Sequence, residues 1–323
     1  MPDRTMSASR VRAVLSGHFP PRWGSQYVPA QLATRGQAPS CSVATQLGSA
    51  LLQRQLHLLS KSETVMLALA LYNPALFELK EQFLLPVLPC DHPLVGHPKA
   101  RGMVLPTTVG SVFIAERLGV LSKHPRAREE GAGEADRPRW VPAPLKRDIL
   151  LFLSDSQGPY CVTWDVKDKQ GDHGLPGSGD WVERSSPRRI ANSRVLDSIF
   201  VECMSEFRIP IVRVAKSDLD PMLAINLRRL LKVHQLPIDL GAEVHAEILS
   251  AYDEALKVGR PPNEVIDDFA HAGVKPAQSR RVLEQAIWHR RIRIDMYRWL
   301  AIDQPLNPEV RDPLKEFSSW FAR

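Results

Sequence analysis

Two apolar segments joined by a short polar turn constrain the fold of this chain more than any other feature. Residues 147–155 (RDILLFLSD) and 160–168 (YCVTWDVKD) both have strand character, and Ser156-Gln157-Gly158-Pro159 supplies a turn between them. The first segment is apolar without interruption after Asp148, which is typical of a central strand buried on both faces. The sequence therefore predicts a β-hairpin at the centre of a sheet.

The segments around the hairpin alternate between helical and strand patterns. Ser60 and Glu63 have the spacing of a capping box at the start of SKSETVMLALAL, and Asn73-Pro74 ends that helix. The remaining predictions are a buried helix at 60–71, a strand at 77–85, a helix near 189–207 and a strand at 209–215. The order is helix, three strands, helix, strand, so we expect an α/β fold with a mixed central sheet.

Changes in composition divide the chain into three parts. Residues 1–55 have weak periodicity interrupted by prolines and predict an extended arm, followed by an α/β domain over 56–217 that includes a long exposed loop at 122–146. Residues 218–323 predict a helical domain with a winged-helix outline. Its predicted elements are helices at 220–234, 243–256, 262–271 and 276–289, and a strand at 292–300.

Composition excludes several classes of protein. With 323 residues, 44% of them hydrophobic, the chain can bury a core without disulfides or structural metals. Its four cysteines are scattered without zinc-ligand spacing, so we expect reduced thiols and a cytoplasmic location. No apolar run approaches 18 residues and the N-terminus lacks a signal-peptide core, so neither membrane association nor secretion is predicted.

Charged residues at the strand ends are the candidate site. Asp148 opens the first strand of the hairpin and Asp165-Val166-Lys167 closes the second, so both carboxylates are expected at one sheet edge, with Lys167 on the same face as Asp165. Two carboxylates and the Val166 carbonyl would offer oxygen ligands to Mg²⁺, and Glu63 could add a third carboxylate and allow a second metal ion. A surface salt bridge between Asp165 and Lys167, with Glu63 serving only as a cap, explains the same residues.

This arrangement resembles that of the PD-(D/E)xK nucleases, and longer matches resemble one family within them. WGSQYVPA (23–30), LSKSETVMLALALYNPALFELKEQFLL (59–85), RDILLFLSDSQGPYCVTWDVK (147–167) and the segment from EVHAEILSAYDEALKVGRPPNEVIDDF onward are similar to the TnsA family, the endonuclease subunit of heteromeric transposases. The resemblance implies a restriction-endonuclease-like core followed by a winged-helix-like C-terminal domain. Asp165 departs from the longer Glu or Gln that is usual in the family.

The resemblance also implies an activity and partners. Glu63, Asp148, Asp165 and Lys167 would be catalytic, with Glu63, Asp148, Asp165 and the Val166 carbonyl holding Mg²⁺, or Mn²⁺ in its place, at two ions per active site. The chain would cleave the 5′, non-transferred strands at transposon ends in the bacterial cytoplasm. A DDE-type transposase would process the 3′ ends, and an AAA+ ATPase would regulate the complex.

The charge distribution favours a polyanion as partner. The net charge of +6 is concentrated in residues 271–300, a segment that contains seven Lys and Arg but only two acidic residues. The candidates for DNA or partner binding are Lys275, Arg280, Arg281, Arg290, Arg291 and Arg293. A stand-alone restriction or repair nuclease and a non-catalytic winged-helix regulator remain alternatives. His92, His97, His124 and His173 lie in predicted loops without ligand spacing, so no metal role is expected for them.

Overall fold

The chain divides into two compact units. Unit 1 comprises residues 1–63, 75–216 and 321–323, and unit 2 comprises 64–74 and 217–320. The computed structural model describes residues 7–38, 43–129, 139–173 and 187–323. The division after residue 216 falls within one residue of the boundary expected from composition.

The helices and strands up to residue 216 follow the predicted order, with additional short elements between them. In chain order they are α1 (Ala8–His18), β1 (Thr45–Ser49), β2 (Arg54–Leu58), α2 (Lys61–Tyr72), β3 (Leu76–Leu84), β4 (Cys90–Asp91), β5 (Thr107–Thr108), α3 (Ser111–Arg117), β6 (Arg126–Arg128), β7 (Trp140–Pro142), β8 (Lys146–Asp155), β9 (Gly158–Lys167), α4 (Pro187–Glu206) and β10 (Ile211–Ala215).

A four-stranded mixed sheet is the centre of unit 1. Its strand order is β10-β9-β8-β3, with β10 parallel to β9 and the other two pairs antiparallel. The predicted hairpin is confirmed, because β8 and β9 pair from Ile149↔Trp164 to Asp155↔Gly158. Gly158 has a φ of 107°, a conformation that a residue with a side chain rarely adopts, so the turn depends on this glycine.

Apolar residues of the sheet and α4 form the main core of unit 1. The cluster includes Phe83 of β3, Phe152 of β8 and Cys161 of β9, which pack with Phe200 and Met204 of α4. Trp164 is fully buried, as expected for the strand's other face, and its ring lies 5.2 Å from that of Phe321. The α/β fold class with a mixed sheet is therefore confirmed.

The prediction of an extended N-terminal arm is wrong for the described residues. Ser7 caps α1 by accepting a hydrogen bond from the Arg10 N–H, and β1 and β2 form an antiparallel pair. Arg54 of β2 forms a bidentate ion pair with Glu81 of β3, with N–O distances of 2.6 and 2.7 Å, and both side chains are buried. This tertiary pairing joins β2 to the sheet, and no local periodicity signals it.

The loop expected at 122–146 also contains regular structure. β6 and β7 pair antiparallel, with Ala127 opposite Val141. Ala127 packs against Val11 of α1 in a small buried cluster. The segment is too polar to predict strands from its own pattern, because its apolar contacts come from a helix more than 100 residues earlier.

Unit 2 is helical, as predicted, but its predicted strand does not form. The helices are α5 (Pro221–Val233), α6 (Ala242–Val258), α7 (Pro262–His271), α8 (Pro276–Trp288) and the short α9 (Pro313–Glu316). Within 292–300 the structure contains one isolated bridge, Ile294↔Pro308. Two backbone hydrogen bonds flank this bridge, from the Asp295 N–H to the Asn307 carbonyl oxygen at 2.8 Å and from the Glu309 N–H to the Arg293 carbonyl oxygen at 3.3 Å, and the pairing does not extend into a ladder.

The remaining expectations concern membrane-spanning helices and the state of the cysteines. No described helix combines the length and apolar character needed to cross a bilayer. Cys90, Cys161 and Cys203 are free thiols, and the last two are buried, as expected. Cys41 lies outside the described residues.

A lysine is buried among aromatic rings on the core face of the sheet. Lys80 of β3 is 2% exposed, and its Nζ lies 4.0 Å from the ring centroid of Trp23, 5.1 Å from Phe152 and 5.6 Å from Tyr27. Burial lowers the pKa of Lys80 to about 8, although the nearby Glu78 carboxylate raises it. The rings face the ammonium with their negative π surfaces and so offset part of the desolvation cost.

We expect Lys80 to make stability rise with pH. Between about pH 8 and 10.4 the unfolded chain holds the Lys80 proton while the folded protein has lost it, so the folded state gains free energy as pH rises through this window. In urea unfolding, the stability difference between wild type and Lys80→Met should shift by about 2 kcal/mol in favour of wild type from pH 7 to pH 10. Lys99→Met removes an exposed lysine over Phe77 and is the matched control. A pH-independent difference for Lys80→Met contradicts the prediction.

Candidate active site

The ammonium group of Lys167 lies among three oxygen atoms at one edge of the sheet. Its Nζ is 3.5 Å from Asp148 Oδ2 and 3.1 Å from the Val166 carbonyl oxygen, and it forms a short hydrogen bond with Asp165 Oδ1. All these residues belong to β8 and β9 of unit 1. The structure thus brings together Asp148, Asp165 and Lys167, as the sequence predicts.

Strand pairing explains this convergence. Ile149↔Trp164 is the last register pair of β8 and β9 at this end of the hairpin, and Asp148 and Asp165 are the residues next to it on the two strands. Asp148 Oδ2 also accepts a hydrogen bond from the Val166 N–H at 2.9 Å. On the other side, Arg213 of β10 pairs with Asp165 in parallel register. The second carboxylate is therefore flanked by charged residues on both neighbouring strands.

Burial and charge pairing set the protonation states at this edge. Burial by itself would lower the pKa of Lys167, but the carboxylates of Asp148 and Asp165 raise it above its ordinary value. Burial by itself would raise the pKa of Asp165, but hydrogen bonds from His173 and Lys167 hold that pKa well below its ordinary range. Lys167 is therefore a cation and Asp165 an anion at neutral pH.

Glu63 caps the helix that follows β2. Ser60 Oγ accepts the Glu63 N–H at 3.0 Å and donates to Glu63 Oε1 at 3.1 Å, while Oε2 accepts the Leu59 N–H at 2.9 Å. The predicted capping box is confirmed. Burial raises the pKa of Glu63, and the negative charge of Asp148 raises it further, so the two carboxylates are electrostatically coupled. The metal-binding role of Glu63 stays a prediction.

His173 contacts the site although its sequence context gave no indication of this. Its Nδ1 lies 3.1 Å from Asp165 Oδ2, and its side chain is buried. Since an ionised carboxylate can only accept, Nδ1 carries the proton in this hydrogen bond. The expectation that His173 has no metal role is untested, but its contact with Asp165 was not expected. The signal that could have found it is a histidine shortly after the Asp-x-Lys strand.

The oxygen atoms around Lys167 Nζ fit a magnesium ion. An ammonium cation already occupies the space between two carboxylates and a backbone carbonyl, which shows that the oxygens converge on a positive charge. Mg²⁺ in proteins commonly takes one or two carboxylates and keeps several waters. In the described residues no group of three or more His, Cys, Asp and Glu side chains is arranged to hold a metal, so the carbonyl of Val166 is needed.

The six basic candidates in the C-terminal part of the chain have different surroundings in unit 2. Arg290 and Arg293 are neutralised by Asp312, at 2.8 Å each, and by Glu309. Arg280 pairs with Glu284 at 3.1 Å, and Arg281 donates to the Pro237 carbonyl oxygen. Lys275 and Arg291 are exposed.

Two arginines of unit 2 lie in a groove that sequence reasoning did not identify. Arg280 and Arg281 line an open groove of about 370 Å³ together with Arg229 and Lys232 of α5. The basic stretch thus separates into one paired cluster and one groove, whose lining combines four cationic side chains with Glu284, the partner of Arg229 and Arg280. The two α5 residues were missed because they lie outside the basic segment of the sequence.

The comparisons with known proteins give no family. No protein-family model matches the chain, and no curated protein matches it.

We predict that His173 stabilises the metal-binding form of Asp165. Replacing a group that orients a metal ligand typically weakens metal binding 10- to 100-fold, so His173→Ala should raise the Kd for Mn²⁺ about tenfold. His173→Asn should retain most of the affinity, because its amide nitrogen can occupy the position of Nδ1. Titration of free Mn²⁺ by electron paramagnetic resonance measures both, with His271→Ala, an exposed histidine of α7, as control. Equal affinity of the Ala variant and wild type would refute this role.

Proposed function

We propose that the chain is a Mg²⁺-dependent DNA endonuclease of the PD-(D/E)xK type. The observation that supports this most directly is the convergence of Asp148, Asp165 and the Val166 carbonyl on the Lys167 ammonium. A surface salt bridge would need only Asp165 and Lys167. The additional Asp148 carboxylate and Val166 carbonyl, from two adjacent strands, favour a site that binds a metal ion next to a phosphate.

Each residue of the proposed site has a defined task. A magnesium ion held by Asp148, Asp165 and the Val166 carbonyl would supply positive charge to polarise the scissile phosphate. Lys167, kept protonated by its neighbours, can stabilise negative charge as it develops on that phosphate. The Val166 N–H fixes one oxygen of Asp148, and His173 fixes one oxygen of Asp165, so both carboxylates are oriented in advance.

We propose further that this nuclease serves as the endonuclease subunit of a heteromeric transposase and cleaves the 5′ strands at transposon ends. The support is the TnsA-like pattern of the sequence. Two of its segments, 59–85 and 147–167, coincide with α2–β3 and β8–β9. In this proposal a DDE-type transposase supplies sequence recognition and the 3′ chemistry, and an AAA+ ATPase acts as regulator.

Unit 2 is proposed to contact DNA or these protein partners through a winged-helix-like domain. Four helices with short connections supply the helical part of such a domain, while the strand expected at 292–300 is reduced to one isolated bridge. The groove lined by Arg229, Lys232, Arg280 and Arg281 offers positive charge for phosphates or for an acidic protein surface. Arg290 and Arg293 support it less, because two carboxylates already neutralise them.

The two alternatives predict different outcomes with the same reagents. A stand-alone restriction or repair nuclease would cut plasmid DNA efficiently without any transposase. A non-catalytic regulator would keep its function after Asp148→Ala and lose it after charge reversal at Arg280 and Arg281. The groove supports the regulator only through the positive charge that its basic side chains offer to an anion.

Neutralising one carboxylate of the site should abolish strand cleavage. Asp148→Asn keeps an acceptor for the Val166 N–H but removes the negative charge of a proposed metal ligand, so 5′-strand nicking should fall at least about 100-fold. Lys167→Met should have a similar effect. The assay combines the protein, the transposase, end-bearing DNA and Mg²⁺, and maps nicks on each strand by denaturing electrophoresis.

Asp155→Asn is the matched control for this experiment. Asp155 lies at the opposite end of β8 and also accepts a backbone N–H, from Gln157. The Asp155→Asn variant should therefore cleave at the wild-type rate. Wild-type nicking by Asp148→Asn would exclude the proposed site.

The capping and catalytic roles of Glu63 can be separated by two substitutions. Glu63→Gln preserves a capping-box side chain, so it should change the free energy of unfolding little while reducing nicking if the carboxylate takes part. Ser60→Ala removes the cap, costs about 1 kcal/mol and should leave nicking unchanged. Thermal unfolding measures the capping role, and the nicking assay measures the catalytic role. If Glu63→Gln nicks normally, Glu63 is only a cap.

A further inference from the structure

Two arginines beside the candidate site share a single carboxylate. Arg213 Nη2 lies 3.0 Å from Asp197 Oδ2, and Arg147 Nη2 lies 3.7 Å from Asp197 Oδ1. Asp197 projects from α4, while the arginines belong to β10 and β8. We refer to these three residues as the arginine cluster. It carries one more positive than negative charge.

The guanidinium of Arg147 is partly buried, and one of its donors is unpaired. The side chain is 18% exposed and packs over the ring of Phe200, with 3.8 Å between Cζ and the ring centroid. Nη2 donates a long hydrogen bond to the Leu196 carbonyl oxygen at 3.3 Å, while the buried Nε has no partner among the described residues. The pairing with Asp197, at 3.7 Å, is also long, so the guanidinium has capacity for a closer anion.

The position of the cluster indicates which anion it would meet. Arg147 directly precedes Asp148 in β8, and Arg213 is the register partner of Asp165. Burial lowers the pKa of Arg147, whereas Asp197, Asp165 and Asp148 raise it, so the guanidinium lies within electrostatic reach of both proposed metal ligands. The cluster therefore adjoins the point where the scissile phosphate would bind.

We propose that Arg147 and Arg213 bind a DNA backbone phosphate adjacent to the scissile one, in place of Asp197, which pairs with both guanidinium groups when DNA is absent. The planar fork of arginine matches phosphate oxygens in a bidentate manner, and such charge-assisted contacts are among the strongest hydrogen bonds. The inference rests on the proposed nuclease function, because it takes DNA as the ligand. It assigns strand positioning to residues outside the metal site.

The test is DNA binding without cleavage. Binding of a fluorescent duplex is measured by anisotropy in EDTA over a series of KCl concentrations. Arg213→Gln and Arg147→Gln should each weaken binding about tenfold at low salt. Each should also reduce the slope of log K against log[KCl] by up to about 0.9, the value for one phosphate contact.

The control arginine has similar exposure and pairing. Arg323 is 37% exposed in its side chain, against 34% for Arg213, and it also pairs with one aspartate, Asp155. Asp155 is seven residues from Asp148 along β8, a distance of roughly 23 Å. Arg323→Gln should therefore bind DNA like wild type, with the same salt dependence.

Asp197→Asn separates phosphate binding from a structural role. Removing this carboxylate frees both guanidinium groups and removes a repulsive charge, so DNA binding should become tighter, an effect that damage to the fold cannot produce. Weaker binding by Asp197→Asn, an Arg213→Gln variant indistinguishable from Arg323→Gln, or no binding by wild type at low salt would each overturn the proposal.

The outcomes also distinguish this inference from the proposed function. If DNA binding depends on the two arginines but the wild type does not nick DNA, the phosphate site is supported and the nuclease function is excluded. If the wild type nicks DNA normally but binding does not depend on the arginines, the nuclease function is supported and the phosphate site is excluded.

Discussion

The arrangement of the candidate site depends on the contacts of the Lys167 ammonium group with the oxygen atoms around it. Two carboxylates and a carbonyl oxygen converge where β8 and β9 pair, and without a positive charge their mutual repulsion would oppose that pairing. Lys167 supplies this charge from within the same strand, two residues after Asp165. The hairpin can therefore fold with its acidic groups together before any ligand arrives, and those groups are then already oriented.

The features that sequence could predict are the local ones. The hairpin follows from two apolar runs and a turn, and the capping box follows from the spacing of Ser60 and Glu63. The convergence of Asp148 on Asp165 was predictable as well, because a hairpin fixes the register of its strands. By contrast, the parallel pairing of Arg213 with Asp165 is set by α4 and its packing, so no short-range pattern specifies it. His173 was missed although it lies only eight residues after Asp165 in the sequence.

The failed predictions have a common cause in tertiary contacts. The N-terminal residues lack periodicity, yet a buried ion pair between Arg54 and Glu81 joins β2 to β3. Conversely, residues 292–300 alternate as a strand should, but their pairing is limited to the isolated bridge Ile294↔Pro308. In both cases the outcome depends on contacts with residues outside the segment, so local propensity gave the wrong answer.

Charge balance links the metal site to the arginine cluster. Asp148, Asp165 and Asp197 offset Lys167, Arg147 and Arg213, so these six side chains have no net formal charge. Adding a divalent cation alone, or a phosphodiester alone, would leave an imbalance in a partly buried region. One divalent cation and two adjacent DNA phosphates together restore neutrality. If both proposals hold, metal and DNA should therefore bind with positive coupling, and by linkage each should raise the affinity for the other by the same factor. The coupling would favour assembly of the complete site over binding of either ligand alone.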